Sequence, residues 1–163
     1  MAEKHPVWKH DESLRTFFDL LGDSALKVEL YLAGVQEPTG FERAVSELVE
    51  KGVQALVVFP DGMFLGQMQT IVTLAGRTRL PTMYGLREYA VAGGLMSYGA
   101  NLPRMNRELG ASFVDKILKG ANPANLPVAQ PTKFELVINM KTAKTLGLTI
   151  PPSLLVRADE VIQ

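Results

Sequence analysis

The sequence contains no cysteine, which removes disulfides, thiolate nucleophiles and cysteine-ligated zinc and leaves the redox compartment open. Histidine is almost as scarce. His5 and His10 share a charged N-terminal segment with no third ligand or base nearby, so no metal site is expected. There is no excess charge of either sign: lysine plus arginine number 17, and aspartate plus glutamate number 17. No basic field therefore advertises nucleic acid or an anionic membrane. The signatures G-x-S-x-G, G-x-x-x-x-G-K-[ST] and G-x-G-x-x-G are all missing, which removes a nucleophile elbow and both phosphate-binding loops. Neither a catalytic residue nor a cofactor is expected. No stretch reaches the roughly 18 to 20 apolar residues of a membrane span. The opening segment "MAEKHPVWKHDESLRTFF" carries charges where a secretory signal needs an apolar run. As written, the chain is expected to be soluble and not exported by such a signal, hence cytoplasmic if expressed in this form.

What is present is an ordinary globular composition, 47% hydrophobic and 21% charged over 163 residues, enough for a single domain spanning 1–163. The apolar spacing of Leu14, Phe17, Phe18 and Leu21 predicts a helix over Asp11–Leu21. "KVELYL" alternates as a half-buried strand. "EPTGFERAVSELVEKG" predicts a helix opened by a capping box between Thr39 and Glu42. The continuously apolar "VQALVVFP" predicts a parallel strand covered on both faces.

The rhythm then repeats. "FLGQMQTIVTLAGRTR" reads as one helix with Phe64, Leu65, Met68, Ile71, Val72 and Ala75 on one side. "LPTMYG" is a short strand, "LREYAVAGG" a short helix and "LMSYG" another strand. This alternation predicts an α/β fold: an open, mainly parallel sheet with helices on both faces. A long helix over 102–119 and a proline-rich connection over 120–133 interrupt it. "FELVIN" then predicts a strand, "MKTAKTLG" a helix, and "TIPPSLLVRADEVI" a turn and a last short strand.

In open parallel sheets, ligands sit beyond the carboxyl ends of the strands. Three predicted strand ends carry polar or aromatic groups: Asp61 after "VVFP", Tyr84 in "LPTMYG", and Ser97 with Tyr98 in "LMSYG". Asp61 in "FPDG" is a turn aspartate on one reading and a carboxylate receiving a ligand amine or hydroxyl on another. Arg87 and Glu88 open the next helix, either as a surface ion pair or as a wall of the same pocket. Tyr98 is either a core aromatic with its hydroxyl at the surface or a ligand contact.

The stretches "ALVVFPDGMF", "RLPTMYGLREYAVAGGLMSYGANL", "VDKILKGANPANLPVAQPTKFELVINMKTAKTLGLTIPPSLL" and "RADEVI" resemble the substrate-binding proteins of ABC transporters with the type I periplasmic-binding fold. The resembling group includes binders of tryptophan and related amino acids. The resemblance runs from Val28 to the end and matches only the second half of such a protein. It implies one lobe of a two-lobed receptor that binds a small polar or amino-acid-like solute, works outside the cytoplasmic membrane and delivers to an ABC permease. It also implies that Asp61, Tyr84, Arg87, Glu88 and Tyr98 line the cleft.

In such receptors the segment after "SYGANL" crosses a hinge and its helix packs on the first lobe. Here Leu102, Met105, Leu109, Phe113, Ile117 and Leu118 form an apolar stripe along that helix. Burial of each is worth roughly 1.5 to 3 kcal/mol, so the stripe should find another surface. A homodimer through helix 102–119 is the expectation, with the Asp11–Leu21 helix as a rival cover. Two alternatives to a solute binder stand beside it: a dimeric structural module with an idle cleft, and a small α/β enzyme using Asp61 or Glu88 as a base.

Overall fold

The computed structural model describes residues 28–129, 131 and 133–163. The helix expected over Asp11–Leu21, and both histidines, lie outside the described residues. Contacts divide the chain into two compact units, Met1–Val53 and Gln54–Gln163, where the sequence led us to expect one domain.

In the described part of the first unit, Val28–Leu32 form no strand, although their alternation suggested one. These residues are exposed, and alternation fixes a strand only when a partner strand completes its ladder. Helix α1 (Phe41–Glu50) forms, but not through a capping box. A 3-10 turn over Pro38–Gly40 precedes it, its N-cap is Gly40, and no side chain caps it. Pro38 fixes the backbone one residue before Thr39, which draws Thr39 into the turn and away from the cap position.

The second unit holds a five-stranded sheet in the order β1 (Leu56–Val58), β2 (Thr82–Tyr84), β3 (Met96–Ala100), β4 (Phe134–Asn139), β5 (Glu160–Ile162). Three of its four pairings are parallel, and β3 with β4 is antiparallel. The mainly parallel α/β sheet read from the sequence is therefore present. One detail differs. As the edge strand, β1 leaves Val57 54% exposed rather than covered on both sides.

Between β1 and β2 the single expected helix is broken into α2 (Gly62–Gly66) and α3 (Met68–Thr78) at Gln67. Ile71, Val72, Leu74 and Ala75 of α3 are buried, whereas Leu65 of α2 is exposed. Helix α4 (Arg87–Val91) links β2 to β3 and lies against β3 and β4. From β3 the chain leaves as α5 (Leu102–Leu118), returns through the proline-rich segment, and re-enters as β4. Helix α6 (Met140–Leu146) ends at Gly147, whose positive φ of 73° suits glycine. Helix α7 (Pro152–Arg157) then precedes β5, where only a turn was expected.

The sheet's two faces are distinguished by its register. Val58, Tyr84, Ser97, Val137 and Glu160 stand in one row across the five strands and share a face. Asn139 joins them by alternation and donates from Nδ2 to the Ala90 carbonyl of α4 at 2.9 Å, which puts α4 on that side. Leu136 and Ile138 point the other way. With Leu95, Ala143 and Ile150 they form a buried apolar cluster, lined by Met140, Leu146, Leu154 and Leu155 of α6 and α7.

Candidate functional site

The carboxyl ends of β1, β2 and β3 meet at one edge, and the amino ends of β4 and β5 reach the same edge because they run the opposite way. The backbones there are packed without side chains between them. A methyl group on Gly99 would collide with the Gly85 carbonyl oxygen, and one on Gly85 would lie 2.6 Å from Cδ of Pro60. Only glycine at these positions lets the three strand ends close up.

Asp61 follows Pro60 in an exposed turn and caps α2, accepting from Met63 N at 2.8 Å and from Phe64 N at 3.4 Å. Both bonds end on Oδ1. Arg87, at the start of α4, donates to Glu160 of β5 through Nε at 2.9 Å and through a terminal nitrogen at 2.7 Å. This two-pronged pair joins residues far apart in sequence and fixes the Arg87 side chain on a protein carboxylate. Glu88, the next residue, is half-buried.

Tyr84 and Ser97 lie beneath α4, each 1% exposed. The Tyr84 ring stacks on Tyr89 of α4 with centroids 4.7 Å apart and planes 10° from parallel. It also leans back along the sheet, so that a methyl on Gly94 would meet its ring at 2.5 Å. Burial pushes the Tyr84 phenol up to about 12, partly offset by the Thr82 hydroxyl. Tyr89 is raised too, by burial first and by the Asp61 charge second. The hydroxyls of Tyr89 and Ser97 are buried and find no hydrogen-bond partner.

Tyr98 belongs to the opposite face. It is 54% exposed and stacks on Phe134 of β4 with centroids 5.8 Å apart. Nearby, Asn101 caps α5 by accepting from Arg104 N at 3.0 Å and donates to Glu135 at 3.0 Å. The fold thus brings Tyr84 and Ser97 together under α4 and separates Tyr98 from them by the thickness of the sheet. Arg87 and Glu88 stand at the start of α4. Tyr89 was missed in the sequence, where "REYA" reads as an amphipathic helix and shows nothing of the ring it stacks against. Among the described residues no cluster of metal-ligating side chains occurs, and no helix is long and apolar enough to cross a membrane.

The sequence model for ABC transporter substrate binding proteins matches residues 11–162, nearly the whole chain. The chain belongs to that family. Among solved structures, the ABC domain from Streptococcus pneumoniae in complex with L-Trp is 27% identical, with a TM-score of 0.79 over 94% of this chain and 52% of that one. A conserved domain protein from Vibrio cholerae is 26% identical, with a TM-score of 0.74 over 91% of this chain and 50% of that one. The ligand-free, open structure of a substrate binding protein with adhesive properties from Clostridium difficile shares the fold at 19% identity. Its TM-score is 0.61, over 99% of this chain and 52% of that one. None of the curated proteins matches. The chain spans about half the length of the solved structures it resembles.

The edge at the strand carboxyl ends combines polar and aromatic groups. It carries the exposed, helix-capping carboxylate of Asp61 and the exposed aromatic pair Tyr98 and Phe134 on a packed backbone floor, while the Tyr89 and Ser97 hydroxyls are buried beneath α4.

Proposed function

We propose that this chain forms one lobe of an extracytoplasmic solute receptor, and that it binds an amino-acid-like ligand at the carboxyl ends of β1, β2 and β3 for delivery to an ABC permease. The observation that carries this reading is the family match over residues 11–162. The likeness to a structure solved with L-Trp supports an aromatic amino acid as the first ligand to test. Asp61, Ser97, Tyr84, Glu88 and Arg87 form the α4 side of the seat, and Tyr98 with Phe134 forms an aromatic platform on the far side. Arg87 acts here through its pair with Glu160, holding α4 to the sheet.

A single lobe encloses only part of a ligand, so affinity is expected in the millimolar range rather than the micromolar range of a closed two-lobed cleft. Thermal melts in the presence of each L-amino acid test this. A ligand that binds only the folded chain raises the melting temperature in proportion to the logarithm of its concentration over its dissociation constant. L-Trp is expected to give the largest rise. No rise with any amino acid at tens of millimolar would overturn the reading.

A second reading, a dimeric interaction module, is favoured by α5. Not one of its residues is buried, and Val114, Ile117 and Leu118 are 56%, 42% and 82% exposed. A second copy packed on this helix would cover them in a two-fold arrangement. Sedimentation velocity decides it: a dimer is expected for the native chain and a monomer for the Ile117→Ser, Leu118→Ser pair. A native chain that sediments as a monomer at micromolar concentration overturns the dimer.

A further inference from the structure

The chain's balanced charge hides an uneven distribution within the second unit. Asp61 follows β1, Glu88 opens α4, Glu135 stands at the start of β4, and Asp159 with Glu160 leads into β5, all at the edge described above. Glu108 and Asp115 lie on α5, which leaves from that edge. The opposite edge joins the amino ends of β1, β2 and β3 to the carboxyl ends of β4 and β5. Among the described residues of the second unit, no acidic side chain stands there. Cations do: Arg77 and Arg79 between α3 and β2, and Lys141 and Lys144 on α6. Gly93, between α4 and β3, accepts from the Thr142 hydroxyl of α6 at 2.8 Å, and a methyl on it would lie 3.7 Å from Val72 of α3, so both helices flank one turn. The four cationic residues are exposed, and among the described residues none has an ion pair or a side-chain hydrogen bond.

Local structure does not ask for these side chains. Among the described residues Arg79 is the only one other than glycine with a positive φ, 55°. Where the chain turns left-handed after α1, α5 and α6, it uses Gly52, Gly120 and Gly147, which lack the obstructing Cβ. The partial negative charge at the end of α3 favours one cation, and Arg77 in the last turn supplies it. Arg79 adds a second on strained backbone. Lys141 stands in the first turn of α6, where the backbone N–H groups are already positive. Lys144, three residues on, is its neighbour on the helix surface, so two like charges adjoin. Residues that local structure disfavours and the fold does not engage call for a partner outside it, and their shared sign makes that partner anionic.

We propose that this edge rests on the anionic surface of a lipid bilayer. Helix α3 lies beside α4 on one face of the sheet and α6 packs on the other, so the cations form a broad array rather than a pocket. Neither the α3–β2 turn nor α6 holds an aromatic residue on which a nucleobase could stack. A bilayer asks only for positive charges near a plane, with a modest gain from each. The choice of lipid rests on the receptor reading above, because a receptor that serves a permease works beside a membrane. Held by this edge, the chain turns the carboxyl ends of β1, β2 and β3 away from the lipid and leaves them open to solute.

Vesicle flotation of the intact chain tests the surface. The chain is expected to float with vesicles of equal parts phosphatidylcholine and phosphatidylglycerol, to stay behind with phosphatidylcholine alone, and to be released by salt. Arg77→Gln, Arg79→Gly, Lys141→Gln and Lys144→Gln should each weaken binding about fivefold, and together abolish it. The matched set on α5, Arg104→Gln, Arg107→Gln, Lys116→Gln and Lys119→Gln, removes the same charge and should leave most of the binding. No flotation with anionic vesicles, or equal losses in the two sets, would overturn the proposal. Tighter retention on duplex DNA than on these vesicles at the same salt would assign the edge to nucleic acid and overturn the lipid surface. Arg79→Gly alone should melt no lower than the unsubstituted chain; a lower melt would mean that the arginine is engaged within the fold, and would remove it from the surface. Both sets should keep the rise in melting temperature with L-tryptophan. An unsubstituted chain that floats but responds to no amino acid would overturn the receptor reading alone.

Discussion

On one side of the sheet, Leu136 and Ile138 pack with Leu95, Ala143 and Ile150 under α6 and α7 in a continuous apolar cluster. On the other side, the same strand β4 presents Val137 and Asn139 to α4, alongside Ser97 and the stacked pair Tyr84 and Tyr89. Both sides bury the middle of β4, where Val137 and Ile138 are 1% and 0% exposed. They differ in what burial has cost. The apolar side gains transfer free energy at every contact. The α4 side must satisfy each polar atom it covers, and at two hydroxyls it does not. The difference leaves α6 and α7 over an apolar cluster and α4 over a mixed face with two unpartnered hydroxyls.

The largest test of this contrast is on the apolar side. Ile138 is completely buried. Ile138→Ala should cost about 3 to 4 kcal/mol in urea unfolding, because it removes transfer energy and leaves a cavity. A cost under about 1 kcal/mol would mean that this side collapses readily, and the contrast would lose its firmer half.

Next in size is a pH effect confined to the α4 side. Tyr84 holds its proton up to about 12 in the fold but only to about 10 in the unfolded chain. Between those values the unfolded chain binds fewer protons, so stability falls as pH rises. The contribution is whole below pH 10 and is lost progressively from 10 to 12, about 2 to 3 kcal/mol in all. Tyr89 acts in the same direction. Alkaline unfolding curves should flatten over that window in Tyr84→Phe; a curve unchanged by the substitution would place the alkaline loss elsewhere.

The smallest effect has the opposite sign. Ser97→Ala removes a buried hydroxyl with no partner and should raise the stability of the ligand-free chain by about 1 kcal/mol. Calorimetric melting detects a gain of that size as a rise of a few degrees. If the variant melts lower instead, the hydroxyl is already satisfied and the two sides are more alike than their hydrogen bonds suggest.

Much of this architecture was legible in the sequence. The alternation of "FELVIN", the apolar stripe of α5 and the succession of short strands and helices gave the α/β sheet, because period and punctuation are local properties. What was illegible depended on neighbours. Val57 reads as doubly covered, yet β1 is an edge. Thr39 reads as a cap, yet Pro38 begins a turn through it. Pro151 and Pro152 read as a turn, although Pro152 occupies the first turn of α7, where a missing N–H costs nothing. The site residues divide in the same way. Asp61, Ser97 and Tyr98 were candidates from their places at strand ends, whereas the stacking of Tyr89 on Tyr84 emerges only once α4 is folded down.

The antiparallel pairing of β3 with β4 has a consequence for how the chain is assembled from parts. The excursion through α5 and the proline-rich segment leaves the sheet at Ala100 and rejoins it at Phe134, and those two residues are direct partners across the ladder. Its two ends are thus as close as those of a tight hairpin. Loop-closure entropy grows only with the logarithm of length, so exchanging the whole excursion for a four-residue turn would change stability by only about 2 kcal/mol. The ladder between β3 and β4 closes across the two ends of the excursion whatever its length.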